Sequence, residues 1–242
     1  YFYDLLNNTI QICSGGEIAK ISDLKGMHTF LINNVKKEAM LYDKPSMLAG
    51  VTSEYDYINN EIFFTFLQSE KPSFTLSYNE LTKSFISFYD YIPTRYISRG
   101  DNFLALKNNN NQLYKQYAGE YNKFFDVYYP SYITLNVNPE ADKDCVFDNI
   151  NFKSEVYLNN IDVPDKTINT IRAYNDYQDS GTVPLIFDRN NNLRRKFRDW
   201  NAFIPRQNRN RIRGPYSKLK LGFTNTNNYK LILHPIIIYY TI

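Results

Sequence analysis

The chain has 242 residues, of which 43% are hydrophobic, with 25 acidic and 28 basic side chains and a formal net charge of +3. This composition excludes general disorder. It also excludes a membrane-spanning helix, because the longest apolar run, residues 235–242, falls well short of the roughly 18 residues that a span needs. Cys13 and Cys145 form no CxxC motif, and we expect both to be reduced thiols in strands.

Aromatic residues and asparagine are both over-represented. The chain contains 22 Tyr, 17 Phe and one Trp, together with 30 Asn, which exceeds the number of Lys and Arg combined. Aromatic and β-branched residues favour strands, whereas Asn tolerates the left-handed conformations of turns. The two classes alternate along the chain, so the sequence predicts an all-β fold with at most one short helix, near residues 21–33.

A pattern repeats in the first half of the chain. An aromatic residue is followed by Asp or Asn, an aliphatic residue, a polar turn and an apolar strand. Three copies begin at Tyr3, Tyr55 and Tyr78, and a looser fourth runs from Leu106 to Leu113. Each copy is typical of a β-hairpin. Four similar hairpins favour repeated four-stranded sheets, as in propeller blades, while a generic antiparallel meander stays open as the alternative.

The repeat is too short to close a propeller. Residues 1–126 provide about two to two and a half blades, and propellers have at least four. The sequence also begins at Tyr1 rather than Met. We therefore expect a fragment or processed product, with a propeller-like domain over residues 1–126 that other polypeptide completes.

Longer strand candidates follow Pro130. They predict a β-sandwich or barrel-like domain over residues 127–242. The run Ile236–Tyr240 is apolar at every position, as in a strand that is covered on both faces. The stretch Asn225–Asn228, between the last two strand candidates, is interpreted as a hairpin loop. The strand candidates are Ser131–Val137, Cys145–Leu158, Ile168–Tyr174, Tyr216–Phe223 and Tyr229–Thr241.

No motif for catalysis or cofactor binding occurs in the sequence. His28 and His234 are about 200 residues apart, and we expect both to be structural and to lack acidic partners. Asp142, Asp144 and Asp148 lack the spacing of a calcium loop and are interpreted as a solvated acidic turn. We predict a non-enzyme without metal or cofactor, although a carboxylate pair of the glycosidase kind leaves no local motif.

The strongest charge feature lies between residues 188 and 220. Eleven basic residues against two acidic ones give this segment a charge of +9, which leaves −6 for the rest of the chain. Arginine forks suit phosphates and carboxylates. We predict contacts with a polyanion such as nucleic acid, or with acidic surfaces of the same chain or of identical neighbours, through Arg194, Arg195, Lys196, Arg198, Arg206, Arg209, Arg211 and Arg213.

Several segments resemble a known family. The chain is similar to the C-terminal part of the large tail proteins called muzzle or nozzle in crAss-like and other short-tailed, Bacteroidetes-infecting bacteriophages. The resemblance covers most of the chain. It is carried by residues 50–66 (GVTSEYDYINNEIFFTF), 75–80 (TLSYNE), 85–91 (FISFYDY), 103–114, 119–125 (GEYNKFF), 199–206 and 211–214.

The resemblance implies a structural protein of the virion at the distal end of a short tail. In that family several copies, usually six, surround the channel through which DNA leaves. The implied partners are sister copies, the N-terminal part of the same precursor, tail hub and fibre proteins, and DNA in transit. Two rival functions stay open: a carbohydrate-binding adhesin that uses exposed Tyr and Trp200 as stacking platforms, and a propeller glycosidase.

Overall fold

A computed structural model describes residues 1–36, 49–107, 112–140, 142–188 and 192–242. Strands dominate these residues, which confirms the all-β prediction. The chain divides into two compact units, Tyr1–Gly119 and Glu120–Ile242. The boundary at residues 126/127, and the completion of the first domain by other polypeptide, stay predictions.

In its described residues the first unit contains ten strands and two short helices. These are β1 (Phe2–Asp4), β2 (Thr9–Ser14), β3 (Glu17–Lys20), α1 (Ile21–Leu24), α2 (His28–Asn34), β4 (Gly50–Asp56), β5 (Glu61–Leu67), β6 (Phe74–Asn79), β7 (Ser84–Tyr89), β8 (Pro93–Arg99), β9 (Asn102–Lys107) and β10 (Leu113–Lys115). The expectation of at most one helix was wrong. Two helices form because Gly26, with a φ of 74°, interrupts the helical stretch.

Three antiparallel sheets, each built from consecutive strands, make up this unit. Their orders are β1-β2-β3, β4-β5-β6-β7 and β10-β9-β8. The middle sheet is covered on both faces, so β5 is buried over nearly its whole length. On one face Phe64 and Phe66 pack with Ile10 and Leu31 of the first sheet and its helix. On the other face Phe63 contacts Phe103 of the third sheet, with 5.2 Å between ring centroids.

The repeated hairpins share one geometry. The strand ends pair as Asp4↔Thr9, Asp56↔Glu61 and Asn79↔Ser84, so each turn contains four residues. The last turn residue has a positive φ in every case: 53° at Asn8, 56° at Asn60 and 51° at Lys83. The repeated hairpin is therefore confirmed in three copies. In the fourth, Leu106 pairs with Leu113, and residues 108–111 of its turn lie outside the described residues.

The start of each turn is held by the predicted Asp or Asn. The Asp4 Oδ1 accepts the Leu6 amide at 3.0 Å, and the Asp56 Oδ1 accepts the Ile58 amide at 2.9 Å. In the third copy the Asn79 Oδ1 accepts the Thr82 amide at 2.9 Å. Such side-chain bonds replace backbone bonds that a strand would otherwise make, so they stop the strand at that residue.

Twelve strands occur in the described part of the second unit. These are β11 (Lys123–Phe124), β12 (Val127–Tyr128), β13 (Ser131–Val137), β14 (Cys145–Leu158), β15 (Ile161–Asp162), β16 (Thr170–Tyr174), β17 (Val183–Pro184), β18 (Leu193–Lys196), β19 (Asp199–Phe203), β20 (Arg213–Gly214), β21 (Ser217–Phe223) and β22 (Lys230–Thr241). All five predicted long strands are present, and β13 and β14 have the predicted ends.

Two sheets of this unit pack face to face. One has the order β13-β21-β16-β17, and the other is built on β14, which pairs with β22 on one side and with β15, β19 and β20 on the other. Ile150, Phe152 and Trp200 of the second sheet share a buried core with Ile171 and Leu221 of the first. This packing is that of a β-sandwich, one of the two forms that the sequence left open for this part of the chain.

The prediction that Ile236–Tyr240 is covered on both faces was wrong. The side chains of Ile237 and Tyr239 are 52% and 50% exposed. Only one face of β22 meets the core, through Ile236 and Ile238, and the strand lies at the edge of its sheet.

The residues Asn225–Asn228 do not form a hairpin loop. The strands they connect, β21 and β22, belong to different sheets of the sandwich. The connection is instead shaped by the buried Asn225, whose Oδ1 accepts the Tyr229 amide at 3.0 Å and whose Nδ2 donates to the Tyr229 carbonyl at 2.7 Å. Turn composition alone cannot tell a hairpin from a crossover, because both reverse the chain.

Candidate polyanion and assembly surfaces

The predicted basic residues lie in the second unit, on β18, on β20 and in the loops before and after β19. Four of the eight have a carboxylate partner in the same chain. The pairs and their N–O distances are Arg195–Asp165 at 2.8 Å, Arg198–Glu155 at 3.3 Å, Arg211–Asp148 at 2.7 Å and Arg213–Asp144 at 4.0 Å. Much of the local charge is therefore compensated inside the unit.

Arg195 is the most enclosed member of the group. Its guanidinium donates to the carbonyls of Phe197 and Pro164, both at 2.6 Å, as well as to Asp165. It also lies over the Trp200 ring, 5.5 Å from the centroid. With its donors occupied in this way, Arg195 holds the β18–β19 hairpin against the loop before β16.

Arg194, Lys196, Arg206 and Arg209 are exposed. None of the four forms an ion pair with another residue that the structure describes. Arg189, which also contributes to the +9 segment, lies outside the described residues. These four side chains are the ones left available for a polyanion or a neighbouring subunit, and the predicted contacts stay a prediction.

The acidic partners come from the part of the unit that precedes the basic segment. Asp144 and Asp148, interpreted from the sequence as a solvated turn, form ion pairs with Arg213 and Arg211. Within the described ranges, no group of three or more His, Cys, Asp or Glu residues could hold a metal ion. No helix in the same ranges is long and apolar enough to cross a membrane.

Both histidines have acidic partners, contrary to the prediction. The His28 Nδ1 lies 2.5 Å from the Asp23 Oδ1, and the His234 Nε2 lies 3.4 Å from the Glu155 Oε1. A hydrogen bond from Tyr157 lowers the pKa of Glu155, and the charges of His234 and Arg198 act in the same direction. The sequence concealed these pairs because Glu155 and His234 meet only across the β14–β22 ladder.

Trp200 is buried, with 1% of its surface exposed. It faces the sandwich core beside Phe152 and Ile150, and its ring makes an edge contact with Phe187 at 5.1 Å between centroids. It therefore cannot serve as an exposed stacking platform, so the adhesin hypothesis loses Trp200 and keeps only the exposed tyrosines.

A second basic surface, on the other sheet of the sandwich, was not predicted from the sequence. Register pairing places Lys220 between Thr134 and Arg172, and Lys218 between Asn136 and Tyr174, on the outward face of the β13-β21-β16-β17 sheet. The signal was the alternation of Lys218 and Lys220 with buried leucines. That Arg172 lies beside Lys220 could not be predicted, because it depends on the register of β16 against β21.

The opposite outer face of the sandwich carries three exposed hydrophobic side chains among polar ones. Phe203 and Tyr239 lie on either side of Asn149, and Ile237 lies beside Asn151 on the same face. The three hydrophobic side chains are 59%, 50% and 52% exposed. Clustered exposed apolar residues are typical of protein–protein contact surfaces. We call this set, Phe203, Ile237 and Tyr239, the apolar outer patch.

The two long edge strands of the sandwich differ in how they are protected. On the open side of β13, no described strand pairs with it. Its seven residues carry no charge and no proline, and its register against β21 is unbroken. In contrast, β22 contains Pro235 and two register shifts against β14, which are devices that discourage edge pairing. The open edge of β13 is therefore suited to pairing with another strand.

Comparison with known proteins identifies the family of this chain. A family model described as crassvirus muzzle protein matches residues 1–109, and one described as the crassvirus muzzle protein C-terminal domain matches residues 119–207. The chain belongs to the crassvirus muzzle protein family.

A curated relative, the muzzle protein of Bacteroides phage crAss001, is 32% identical over 250 residues, which cover 99% of this chain and 17% of the relative. The chain thus spans about a sixth of the length of that muzzle protein. The resemblance that was drawn from residues 50–66 and the segments after them is confirmed. Membership identifies the chain as part of a bacteriophage structural protein.

Proposed function

We propose that this chain is a non-enzymatic part of a muzzle subunit at the distal end of a short phage tail, where several copies, six by resemblance, form the conduit for DNA exit. The observation that carries the proposal is the family match along nearly the whole chain. The mechanism is mechanical: hydrogen-bonded sheets hold a rigid conduit until contact with the host changes their packing.

The stacked sheets of the first unit support a partial propeller. Consecutive meanders lie face to face, with the four-stranded β4-β5-β6-β7 sheet between the three-stranded sheets on either side. Blades of a propeller are consecutive antiparallel meanders, typically of four strands, and at least four are needed to close the ring. We therefore propose that further polypeptide of the precursor or of a sister copy supplies the remaining blades.

The second unit supports assembly with neighbours. The apolar outer patch and the open edge of β13 both expose surfaces that isolated soluble domains usually cover. The exposed cations Arg194, Lys196, Arg206 and Arg209 are proposed to meet acidic surfaces of sister copies or of tail hub and fibre proteins. Contacts of these three kinds would hold a subunit in a ring.

Cryo-electron microscopy of the intact phage particle tests the proposal. The expected result is density for the two-sheet sandwich at the distal end of the tail, repeated around the channel. Native mass spectrometry of purified tails measures the number of copies independently. Density for this sandwich in the capsid, or single copies away from the channel, would contradict the proposal.

A further inference from the structure

The outward face of the β13-β21-β16-β17 sheet presents an ordered array of hydrogen-bond donors. Three rows run across its strands, and residues opposite one another in the register point to the same side of the sheet. The rows are Tyr132–Gly222–Thr170, Thr134–Lys220–Arg172 and Asn136–Lys218–Tyr174. Every side chain in them other than that of Gly222 is cationic or carries a hydroxyl or amide donor.

The cations on this face are held down on tyrosine rings. The Lys220 Nζ lies 3.9 Å from the centroid of the Tyr132 ring. The Arg172 guanidinium lies 4.9 Å from the Tyr174 centroid. Such contacts restrict the side chains before any ligand arrives, so less rotamer entropy remains to be lost on binding.

Positive charge is in excess on this face. Arg172 has a carboxylate partner, Asp179, whose pKa the guanidinium lowers. Lys218 and Lys220 form no ion pair with any residue in the described part of the chain. Their ammonium groups are therefore available to an external anion.

Gly222 leaves the central strand β21 without a side chain at the row of Tyr132 and Thr170. A Cβ at this position would lie 3.1 Å from the Tyr132 ring and 2.3 Å from the Thr170 Oγ1. The ring of Tyr132 thus lies across the backbone of Gly222 rather than standing away from it. The result is a flat surface beside the lysines, with no side chain that projects from the central strand at this row.

We infer that this face, defined by Tyr132, Thr134, Arg172, Lys218 and Lys220, binds the phosphodiester backbone of DNA. Alternate residues on a strand are about 7 Å apart, so Lys218 and Lys220 can contact successive phosphates of one DNA strand. Cationic donors that have no carboxylate partner in the described part of the chain suit a polyanion. Contacts of this kind are independent of sequence, as is required of a surface past which a whole genome moves.

The chemistry of this face favours DNA over an acidic protein partner. Protein interfaces have an apolar centre that excludes water from the polar contacts. Here the central strand presents Lys218, Lys220 and Gly222, and the exposed Tyr132 ring lies on the edge strand β13 rather than at the centre. The inference rests on the proposed function only for where the protein would encounter DNA. The binding of DNA by this face does not depend on the proposed function.

The test uses the whole muzzle protein that contains this chain. Binding to a 20-base-pair duplex of random sequence is measured by fluorescence anisotropy across a salt series. The double variant Lys218→Gln/Lys220→Gln should bind more weakly, and its slope of log K against log salt should be smaller by about 2, one for each lost phosphate contact.

The matched control removes the same charge from the first unit. Lys20→Gln/Lys25→Gln alters two exposed lysines, one on β3 and one directly after α1, and should leave the slope unchanged. An equal loss in both variants would show a net-charge effect and overturn the inference, and so would an unchanged slope in the lysine variant. Heparin and polyglutamate serve as further probes, and a lysine-dependent slope with either of them but not with DNA would also overturn it.

The outcomes separate the two proposals. Suppose that the lysine variant shows the smaller salt slope with DNA, but the protein lies away from the tail channel. That result would support the DNA-binding face and reject the conduit. A tail ring with no lysine-dependent DNA slope would reject the binding face alone.

Discussion

At the scale of the residue, asparagine and the carboxylates organise the hairpin turns of the first unit. Tyr3 donates to the Asn8 Oδ1 at 2.6 Å, and Tyr55 donates to the Asn60 Oδ1 at 3.2 Å. Each of these asparagines has a positive φ, a conformation that is costly for most side chains but mild for Asn. In these two copies of the repeat, the aromatic residue and the final turn residue are therefore coupled through a hydrogen bond.

The left-handed turn residue gives the first prediction. Asn60→Val should destabilise the first unit by about 1–3 kcal/mol, because a β-branched side chain is strained at a φ of 56°. Asn60→Gly should cost less than about 1 kcal/mol, since glycine adopts this conformation freely and loses only the bond to Tyr55. Hydrogen exchange of the β4–β5 amides measures both. Equal protection in the two variants would argue against backbone strain as the cause.

Glu80 connects the three hairpins. Its carboxylate accepts the Tyr1 hydroxyl at 2.7 Å and the Tyr55 hydroxyl at 2.8 Å. These two bonds lower the pKa of Glu80, whereas burial and Glu80 raise the pKa of Tyr1. The Glu80 amide also donates to the Asn60 carbonyl at 2.9 Å, so the turns are linked through the backbone as well.

A pH dependence follows from this lowered pKa. The folded form of Glu80 binds its proton less readily than the unfolded form, so its stabilisation is complete above the ordinary value of 4.5 and is lost as the pH falls through the lowered folded value. Glu80→Gln should therefore lower the free energy of unfolding at pH 7 by about 1 kcal/mol. The difference should vanish in acid. Both forms are compared by thermal unfolding between pH 3 and 7, and Glu17→Gln, which removes an exposed carboxylate from β3, is the control for the loss of a surface charge.

At the scale of the element, the sheet of β14, β19 and β22 carries hydrophobic side chains on both of its faces. The strands β14, β19 and β22 bury Ile150, Trp200 and Ile238 on one side and expose the apolar outer patch on the other. Strict alternation along a strand places polar residues outward when that face meets water. Hydrophobic residues at outward positions of β19 and β22 are thus the signature of a face that another surface covers.

Charge introduced into the apolar outer patch should block assembly. Ile237→Asp removes an exposed apolar side chain from the outer face of β22 without touching the core, so the chain should fold and the proposed tail ring should fail to form. Tyr177→Asp, at a loop position that is 87% exposed, is the matched control and should assemble normally. Incorporation into virions, measured by quantitative mass spectrometry, distinguishes them. Normal incorporation of the Ile237 variant would exclude the patch from the ring interface.

At the scale of the whole molecule, charge is arranged so that the second unit compensates itself in part. The basic segment 188–220 follows acidic strands, and Arg211 and Arg213 pair with Asp148 and Asp144 of the acidic part. Ion pairs at this degree of exposure contribute little each to stability. Their larger effect is to reduce the free positive charge, so that the remaining cations are confined to a few surfaces.

An isolated chain of these 242 residues should not behave as a stable monomer. Its stacked sheets and the open edge of β13 lack partners that we propose other polypeptide supplies, and unpaired edges favour association. Size-exclusion chromatography with light scattering should show oligomers or aggregates at micromolar concentration. A monomer with cooperative thermal unfolding would contradict the incomplete propeller.

Much of this architecture could be predicted from short-range patterns. The hairpin turns at Asn8, Asn60 and Lys83 are local, because four turn residues determine where the strand reverses. The ends of β13 and β14 are equally local, since turn-forming residues bound alternating apolar ones. The family followed from the segments around residues 50–91, which retain enough identity to be recognised.

What only the tertiary structure decided concerns which strands meet and which faces stay open. The acidic partners of Arg195, Arg198 and His234 come from residues at least 30 positions away, and no local pattern encodes that distance. The same holds for the crossover at Asn225–Asn228 and for the burial of Trp200. By itself the sequence determined the strands, turns and family, because those depend on neighbours along the chain, whereas the surfaces that bind depend on register across the sheets.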